Sequence, residues 1–329
     1  MVQTVYSMEP AGRTGGRVYL RMIHNATAEQ VSWGTVPDYK RADRIRRWRK
    51  IRHLQRLAPI IAALDRPDAS FVWDDLSLLL FTPGMRARTV FLFHHYEPLQ
   101  HDSAPLEAVL WQELFAVLPE CAAVVCVAPY WAEFLHQHGV ENVHVIYNAF
   151  DMTEIDTVRG LDRAACRAEF GLAVDTIAVY AGKAVHWKGT EHVAGQLDGV
   201  PGMRVLATGS NTIGFAGTHH DLPRDRYLRL LLACDVGVFM PRMQEGWSRC
   251  AAEAVLLGMP CLIRPLAGLS DLATLSGQPA PDPARLPQQV RDRAVATTRE
   301  EARAAYAALA QFDTGYFADA WSALLAKIS

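Results

Sequence analysis

Residues 245–263 read E-G-W-S-R-C-A-A-E-A-V-L-L-G-M-P-C-L-I, and this stretch decides the fold class. Glu245 follows an apolar strand that the sequence predicts over Val236–Met240. Ser248 is a suitable N-cap for the small-residue helix that comes next, and a Gly-x-Pro segment ends that helix before another apolar strand. This order of elements is typical of a parallel α/β sheet, where ligands bind at the carboxyl ends of the strands.

The same alternation of short apolar strands and helical segments continues along most of the 329 residues, which predicts parallel sheets throughout. The predicted strands are Val2–Ser7, Thr89–His94, Ala123–Val127, His144–Ile146, Ile177–Ala181, Val205–Ala207, Val236–Met240 and Pro260–Arg264. A mostly polar helical stretch after Asn148–Asp151 indicates a domain boundary. We therefore expect one domain over residues 1–150, a second over residues 151–312, and a C-terminal helix over residues 313–329 that docks on the second domain or crosses back to the first.

The composition argues against several classes of protein. A hydrophobic content of 50% is enough for real cores, and a formal net charge of −2 gives no reason to expect nucleic acid as a partner. The first residues lack the pattern of a signal peptide, and no apolar run reaches the roughly 18 residues of a membrane span. The six cysteines form no C-x-x-C pair, so we expect free thiols in a cytoplasmic protein.

The two glutamates of the opening stretch are candidates for binding a sugar nucleotide. Glu245 lies in a loop at the end of a strand, and Glu253 follows it by eight positions among small apolar residues. The backbone N–H groups that begin the helix belong to Gly246, Trp247 and Ser248. Such N–H groups bind anions and hydroxyls, and a ribose diol could pair with a carboxylate that is costly to bury alone. The alternative is a capped surface helix with two solvated glutamates.

The segment Y-A-G-K-A-V-H-W-K-G-T over residues 180–190 contains two candidate phosphate ligands. Lys183 follows a predicted strand, and Lys188 immediately precedes a predicted helix. Their two ammonium groups could neutralise a diphosphate, and Gly182 allows the backbone to approach it closely. The alternative is a pair of surface lysines around a turn.

The first domain offers weaker candidates. Gly15 and Gly16 follow the first strand, but they complete neither a G-x-G-x-x-G nor a G-K-[ST] motif. The stretch F-L-F-H-H-Y-E-P places His94 and His95 at the exit of a buried strand, where adjacent side chains point to opposite faces, so at most one is expected to face a cleft. The pair Asp74–Asp75 is a similar strand-end candidate. None of these groups forms a convincing metal-ligand set.

Residues 40–56 carry nine basic side chains, with Asp43 as the only acid. Trp48 and three aliphatic residues could form an apolar stripe on the same helix. A basic amphipathic helix is attracted to an anionic membrane surface by about 1 kcal/mol per basic side chain. An ordinary solvated helix packed through its apolar stripe is an equally good interpretation of Lys40–Arg56.

Taken together, these motifs resemble the retaining glycosyltransferases of family four over nearly the whole chain. The most specific segments are E-G-W-S-R-C-A-A-E-A-V-L-L-G-M-P, with its Glu-x7-Glu spacing, and G-K-A-V-H-W-K-G. V-I-Y-N-A-F-D at residues 145–151 and T-G-G-R at residues 14–17 support them. The resemblance implies an α/β protein of GT-B architecture, with two facing Rossmann-like domains, parallel sheets and a deep interdomain cleft.

The resemblance also implies roles for the candidate residues. Glu245 would contact hydroxyls of the donor sugar, helped by the N–H groups beside it, and Glu253 would hold the ribose. Lys183 and Lys188 would bind the diphosphate and stabilise the leaving group. Gly16 would approach the phosphates, and one of the two adjacent histidines would lie near the reacting sugar.

The chain departs from the family pattern at three positions. Lys183 stands where arginine is usual, Ser248 where glycine or proline is frequent, and Ala149 where the interdomain segment has glycine. None of these changes removes a charge that the reaction needs.

The function implied by the resemblance is retaining, metal-independent glycosyl transfer, with a nucleotide-diphosphate sugar as co-substrate and no other cofactor. The basic segment Lys40–Arg56 suggests a saccharide or lipid-linked acceptor in cell-envelope or exopolysaccharide assembly, with the protein peripheral at the inner face of the membrane. The alternatives are a soluble small-molecule acceptor, or a catalytically silent sugar-nucleotide-binding subunit.

Overall fold

A computed structural model of the chain describes residues 3–11, 15–39, 49–98, 105–215, 217–296 and 299–327. The chain divides into two compact units. Unit 1 comprises residues 1–148 together with residues 315–329, and unit 2 comprises residues 149–314. Each unit is built on a sheet in which every strand pairing is parallel.

Unit 1 contains a six-stranded sheet with the strand order β2-β1-β3-β4-β5-β6. Its strands are β1 (Gln3–Met8), β2 (Val31–Val36), β3 (Ala69–Trp73), β4 (Thr89–Phe93), β5 (Ala123–Cys126) and β6 (Val143–Val145). The intervening helices are α1 (Gly15–Thr27), α2 (Arg49–Ala63), α3 (Pro83–Arg86), α4 (Pro105–Val117) and α5 (Pro129–Gln137), with short 3-10 turns at Leu76–Leu80 and Leu118–Glu120. Strands β3 and β4 are buried along their whole length, as expected when helices cover both faces of a sheet.

Unit 2 contains a five-stranded sheet with the order β11-β10-β7-β8-β9. Its strands are β7 (Ile177–Lys183), β8 (Met203–Thr208), β9 (Thr218–His220), β10 (Val236–Phe239) and β11 (Cys261–Ile263). Its helices are α6 (Met152–Arg159), α7 (Arg163–Glu169), α8 (Thr190–Leu197), α9 (Arg224–Ala233), α10 (Arg249–Leu256), α11 (Gly268–Leu275), α12 (Leu286–Ala296) and α13 (Arg299–Ala310), with a 3-10 turn at His186–Lys188. Aliphatic side chains of β7, β8 and β10 form its core with helices α8 and α12.

The last helix, α14 (Thr314–Leu325), packs within unit 1 from Gly315 onward. Phe317 and Trp321 are almost fully buried, at 1% and 0% exposure, and both contact the ring of Tyr19 in α1. The hydroxyl of Tyr19 donates a hydrogen bond to the carbonyl oxygen of Ile146 at 2.8 Å. The final segment of unit 1 thus packs against its first helix.

All eight strands predicted from the sequence are present, with ends that shift by one or two residues. Strands β2 and β9 were not predicted, and β3 was indicated only as the strand before the pair Asp74–Asp75. Strands β2 and β9 lie at the edges of their sheets, where polar residues are tolerated and the apolar signal is weak. Their sequences, V-S-W-G-T-V and T-H-H, carry that mixture of residues.

Candidate active site

Two loops of unit 2 bring Lys188 and Glu245 together. Strands β7 and β10 are neighbours and run parallel, so the loops that follow them leave the same edge of the sheet. The Nζ atom of Lys188 donates to Oε2 of Glu245 at 2.6 Å, and the two side chains are 26% and 13% exposed. Residues 57 positions apart in the sequence thus form a partly buried ion pair.

The ion pair keeps Lys188 charged. Burial works to lower its pKa, but the Glu245 carboxylate more than offsets this, so the pKa of Lys188 lies above its ordinary value of 10.5. The ammonium group therefore carries its charge at neutral pH. Because the folded-state pKa is raised, the stabilisation is fully present below pH 10.5 and is lost only as the pH rises through that higher value.

Glycine is required at position 189, where the two loops touch. Gly189 has a φ of +68°, and a Cβ there would overlap the carbonyl group of Met240 after β10. The N–H group of Arg242 adds a second link by donating to the carbonyl oxygen of Trp187 at 3.0 Å. These contacts fix the position of Lys188 relative to the end of β10.

Strand β7 ends in an irregular segment that carries Lys183. Its register with β8 shifts between Tyr180 and Lys183, and Gly182 has a φ of +84°. Such a bulge re-aims the side chain that follows it. The Thr190 hydroxyl donates to the carbonyl oxygen of Lys183 at 2.5 Å and so ties this segment to α8. None of the acidic residues that the structure describes pairs with the Lys183 ammonium group, which is therefore available to a phosphate.

A contact that the sequence analysis missed holds the Glu245 segment in place. The N–H group of Gly268, at the start of α11, donates to the carbonyl oxygen of Glu245 at 3.1 Å. A Cβ at Gly268 would overlap the carbonyl group of Gly246. Ala267 bridges to Glu245 with a φ of +53°, a conformation that costs a residue with a side chain about 1–3 kcal/mol. In the sequence, Ala267 and Gly268 look like an ordinary turn.

Glu253 is 2% exposed and has two protein partners. Its Oε1 atom accepts hydrogen bonds from Nη1 of Arg224 at 2.7 Å and from Nη2 of Arg249 at 3.4 Å. Arg224 also pairs with Glu154 at 2.9 Å. Two arginines therefore supply the pairing that the sequence analysis attributed to a ribose diol. The hydrogen bonds described for Glu253 all end on Oε1, which leaves Oε2 for a ligand.

The sequence contained a signal for only one of these arginines. Arg249 lies four positions before Glu253 on α10, the spacing at which helical side chains pair. Arg224 is 29 positions away, at the start of α9, and belongs to no motif. It could not have been found from the sequence.

We predict that replacing Arg224 by alanine raises the KM for the donor about tenfold and changes kcat less, because Glu253 loses its shorter hydrogen bond. Steady-state kinetics with varied donor concentration measures this. Arg226→Ala is the matched control, since Arg226 lies on the same helix and pairs with Glu169 instead. An Arg224→Ala protein that melts normally and keeps the wild-type donor KM would contradict the prediction.

The residues just before α10 are Trp247, which packs in the core, and Ser248, which is the N-cap residue of the helix. The ring of Trp247 is buried against Phe150 and Phe312, with both centroid distances at 6.0 Å. Ser248 is the N-cap residue, as predicted, but its side chain makes no capping hydrogen bond. The predicted N-cap position is therefore confirmed, without a hydrogen bond from the serine side chain. The backbone N–H groups at a helix start attract anions and hydroxyls.

In unit 1, Gly16 and His94 meet. Gly16 lies in the first turn of α1, and a Cβ there would be 3.0 Å from Nε2 of His94. That nitrogen is buried and has no hydrogen-bond partner among the described atoms. Burial lowers the pKa of His94 to about 4, so its imidazole is neutral at physiological pH. His95 is exposed, and no atom lies within 4 Å of where a Cβ on Gly15 would stand.

A charged network near these residues was not predicted. Arg17 is 8% exposed and donates through Nη1 to both carboxylate oxygens of Asp74 at 3.2 Å, and through Nη2 to Asp38 at 2.9 Å. Asp75 pairs with Nε2 of His53 at 3.2 Å. The strand-end pair Asp74–Asp75 is thus held by basic side chains from α1 and α2.

About half of the basic segment Lys40–Arg56, residues 40–48, lies outside the described residues, which resume at Arg49. Lys50 of α2 forms an ion pair with Glu107 of α4. Across the described ranges, no helix combines the length and apolar character needed to cross a membrane. Within the same ranges, no three His, Cys, Asp or Glu side chains are grouped as metal ligands would be.

Known proteins resemble this chain in sequence over its first half and in fold over its full length. Residues 5–154 match the family model described as Glycosyltransferase Family 4. No curated protein sequence matches the chain.

Several solved structures share its fold. Sucrose-phosphate synthase from Thermosynechococcus elongatus superposes with a TM-score of 0.73 at 16% identity, covering 98% of each chain. Anabaena HepE in complex with UDP and glucose superposes with a TM-score of 0.73 at 15% identity, covering 98% of this chain and 99% of HepE. A UDP-forming α,α-trehalose-phosphate synthase from Burkholderia xenovorans superposes with a TM-score of 0.69 at 13% identity. The match covers 100% of this chain and 99% of the synthase.

These likenesses confirm the predicted fold class, since the two parallel α/β sheets match those of GT-B glycosyltransferase structures. At identities of 13–16%, the structural likeness supports only the fold. The likeness to a family comes from the family model that matches residues 5–154. Residues 5–154 therefore resemble glycosyltransferase family 4, and the chain has the GT-B fold of a nucleotide-sugar-dependent glycosyltransferase.

Proposed function

We propose that the protein moves a sugar from a UDP-sugar to a saccharide acceptor, free or lipid-linked, with retention of configuration and without a metal ion. The observation that carries this proposal is the Lys188–Glu245 ion pair at the ends of two adjacent strands, with Lys183 at the end of one of them. Two ammonium groups suit a diphosphate, and a carboxylate suits sugar hydroxyls. The complex of HepE with UDP and glucose supports a UDP-sugar as the donor.

Different residues of unit 2 would bind the diphosphate, the sugar and the ribose of the donor. Lys183, which has no acidic partner among the described residues, and Lys188 would bind the diphosphate. Glu245 would accept hydrogen bonds from hydroxyls of the sugar, and the N–H groups before α10 would add donors beside it. Oε2 of Glu253 would accept a ribose hydroxyl while Arg224 holds Oε1.

The proposed chemistry is electrostatic. The bond between the anomeric carbon and the diphosphate breaks, and its electron pair leaves with the diphosphate oxygen. The acceptor hydroxyl attacks the same face of the sugar and gives its proton to the departing phosphate, so neither Glu245 nor Glu253 acts as nucleophile or base. The positive charge of Lys183 and Lys188 stabilises the diphosphate as its charge develops.

In unit 1, Gly16 and His94 are the residues proposed to contact a ligand. Without a side chain, Gly16 leaves space at Nε2 of His94. That nitrogen is buried without a partner among the described atoms, so a ligand hydroxyl that hydrogen-bonds to it would relieve a desolvation cost of about 1–3 kcal/mol. This supports His94, rather than the exposed His95, as the histidine near the reacting sugar.

The pathway is proposed from the sequence. The stretch V-F-L-F-H-H-Y-E-P resembles a first-domain strand of polysaccharide-building members of the family, and Lys40–Arg56 is basic enough to attract an anionic membrane surface. Cell-envelope or exopolysaccharide assembly is therefore the proposed setting. The alternative to a saccharide or lipid-linked acceptor is a soluble small molecule.

We expect UDP-glucose to raise the melting temperature more than GDP-, ADP- or dTDP-glucose does in a thermal-shift series. A ligand at 100 times its Kd stabilises the folded protein by about 2.7 kcal/mol. Release of UDP without an acceptor, measured in a coupled assay, distinguishes an active transferase from a silent binding subunit. If no nucleotide sugar stabilises the protein and none is hydrolysed, the proposed function is wrong.

A further inference from the structure

Unit 2 contains a cavity of about 290 Å³ that is separate from the candidate donor site. Met259 and Pro260 line it, so it lies at the amino end of β11. The loops that carry Lys188 and Glu245 leave the carboxyl ends of β7 and β10. Because β7, β10 and β11 run parallel, the cavity and these loops are at opposite edges of the sheet.

Three helices form most of the wall of the cavity. Helix α10 ends at Leu256 and α11 ends at Leu275, and the C-terminal ends of both reach the cavity. Helix α13 contributes Glu301, Ala302 and Ala305, and it packs against both of the other helices. The cavity therefore touches the ends of two helices that begin at the donor side of unit 2.

One side of the cavity is negative. The last carbonyl groups of a helix have no partner within the helix and carry a partial negative charge. Two helix ends meet here, and the exposed carboxylate of Glu301 adds a full charge. An ammonium group of a ligand would be attracted to this side.

The other side of the cavity is positive. Arg293 of α12 lines it, and its Nη2 atom donates to Oε1 of Gln278 at 3.3 Å. An amide such as that of Gln278 is uncharged, so this hydrogen bond orients the guanidinium group without neutralising it. A guanidinium group donates up to five hydrogen bonds and binds a carboxylate with two of them in parallel.

The two charged sides argue for a ligand that carries both charges. A ligand with a single charge would be repelled by one of the two sides. Val255, Met259 and Leu275 supply an apolar part of the lining, which suits an aliphatic or aromatic side chain. The volume lies just below the roughly 300–1,000 Å³ of pockets for drug-sized ligands, so the ligand is small.

The helices that end at the cavity also position the donor groups. Ser248 is the N-cap residue of α10, which carries Glu253. At the start of α11, the N–H group of Gly268 donates to the carbonyl oxygen of Glu245 at 3.1 Å. Each helix has eight residues, so only about 12 Å separates its two ends. A ligand that holds the C-terminal ends of both helices therefore restrains the segments of Glu245 and Glu253.

We propose that this cavity binds an α-amino acid with an apolar side chain, and that the bound amino acid strengthens binding of the donor. The carboxylate of the amino acid pairs with Arg293, and its ammonium group lies between Glu301 and the helix ends. Its side chain contacts the apolar part of the lining. Binding of the amino acid does not depend on the proposed function, whereas its effect on the donor rests on that function.

Isothermal titration calorimetry on the full chain tests the binding, with L-leucine, L-methionine and L-phenylalanine as probes. Each probe is accompanied by the amine that lacks its carboxylate and by the acid that lacks its ammonium group, such as isoamylamine and isocaproate for leucine. We expect at least one amino acid to bind, and both of its analogues to bind about tenfold more weakly or less, because each analogue loses one charged contact.

Two variants test the residues that are proposed to hold the charges. Arg293→Gln should weaken binding of the amino acid about tenfold, with Arg291→Gln as the matched control, since Arg291 lies on the same helix and donates to the carbonyl oxygen of Pro201. Glu301→Gln should also weaken it, whereas Glu300→Gln should not. Glu300 and Glu301 are both exposed on α13, so these two variants fold even if Arg293→Gln does not.

The effect on the donor is measured as the KM for UDP-glucose. A saturating amino acid should lower this KM about fivefold in the wild type and leave it unchanged in Arg293→Gln. Amino acid binding without any change in KM would overturn the proposed effect on the donor.

Three results would overturn the proposed binding: none of the three amino acids binds, an analogue with one charge binds as tightly as its parent, or Arg293→Gln and Glu301→Gln behave like their controls. The thermal shift with UDP-glucose keeps this proposal apart from the proposed function. Failure of UDP-glucose to stabilise the wild type overturns the donor assignment, while calorimetry, which needs no turnover, still decides whether the cavity binds an amino acid.

Discussion

Replacing Lys188 by methionine is expected to lower kcat about a hundredfold to a thousandfold, which is the usual effect of removing one preorganised group that stabilises developing charge. Methionine keeps an unbranched stem but removes the ammonium group that pairs with Glu245 at 2.6 Å. The leaving diphosphate then loses a cation that stays charged through the whole neutral pH range, because the pKa of Lys188 is raised. Steady-state transfer kinetics at saturating donor measures the effect.

Two controls accompany this variant. Lys327→Met removes an exposed lysine of unit 1 and should leave kcat unchanged. Lys188→Arg keeps the charge in another geometry and should recover part of the lost rate. A Lys188→Met protein with a normal melting temperature and a kcat within tenfold of wild type would show that Lys188 does not stabilise the leaving group.

Replacing Gly268 by alanine is expected to cost about 3 kcal/mol of stability and to lower the melting temperature of unit 2 by roughly 6–12 °C. The added Cβ would overlap the carbonyl group of Gly246, which is backbone and cannot rotate away. The loop must move, so the Gly268–Glu245 hydrogen bond is lost and Glu245 is displaced from its place beside Lys188. Donor binding should therefore weaken together with stability.

Gly195→Ala is the matched control, because Gly195 lies inside α8 with no atom within 4 Å of a Cβ. Alanine there should be neutral or stabilise the helix by about 0.5–1 kcal/mol. Calorimetry of the two variants gives the comparison directly. Equal melting temperatures for Gly268→Ala and the wild type would mean that the loop accommodates a side chain, and that the close approach of α11 does not position Glu245.

Most of the buried strands could be predicted from the sequence, although the fully buried strand β3 was indicated only by the pair Asp74–Asp75 that follows it. Strands such as β4 and β10 are apolar on both faces, so their sequences stand out from their surroundings. The edge strands β2 and β9 show no such contrast. The approach of Lys188 and Glu245 could be expected in outline, since both follow strands of one parallel sheet. Their direct pairing depends on Gly189 lying against Met240, a contact between backbones that leaves no residue pattern.

The least predictable parts of the site are those that depend on neighbours distant in the sequence. Arg224 reaches Glu253 from another helix, and Arg17 reaches Asp74 from 57 positions away. Charged residues are common, so the sequence alone does not say which of them pair. The sequence indicates that a carboxylate buried at Glu253 needs a partner, and in the structure Arg224 and Arg249 are its partners.

The packing of α14 on α1 sets an order of events during synthesis. Residues up to 148 emerge from the ribosome first, yet Phe317 and Trp321, which pack against Tyr19, follow only after all of unit 2. At about 5–20 residues per second, the gap of 173 positions between Asn148 and Trp321 corresponds to roughly 9–35 s. Throughout that interval α14 is absent, so the apolar surface of α1 around Tyr19 is exposed to solvent and accessible to chaperones. Unit 1, which is begun first, is thus completed last, after unit 2 has had time to fold.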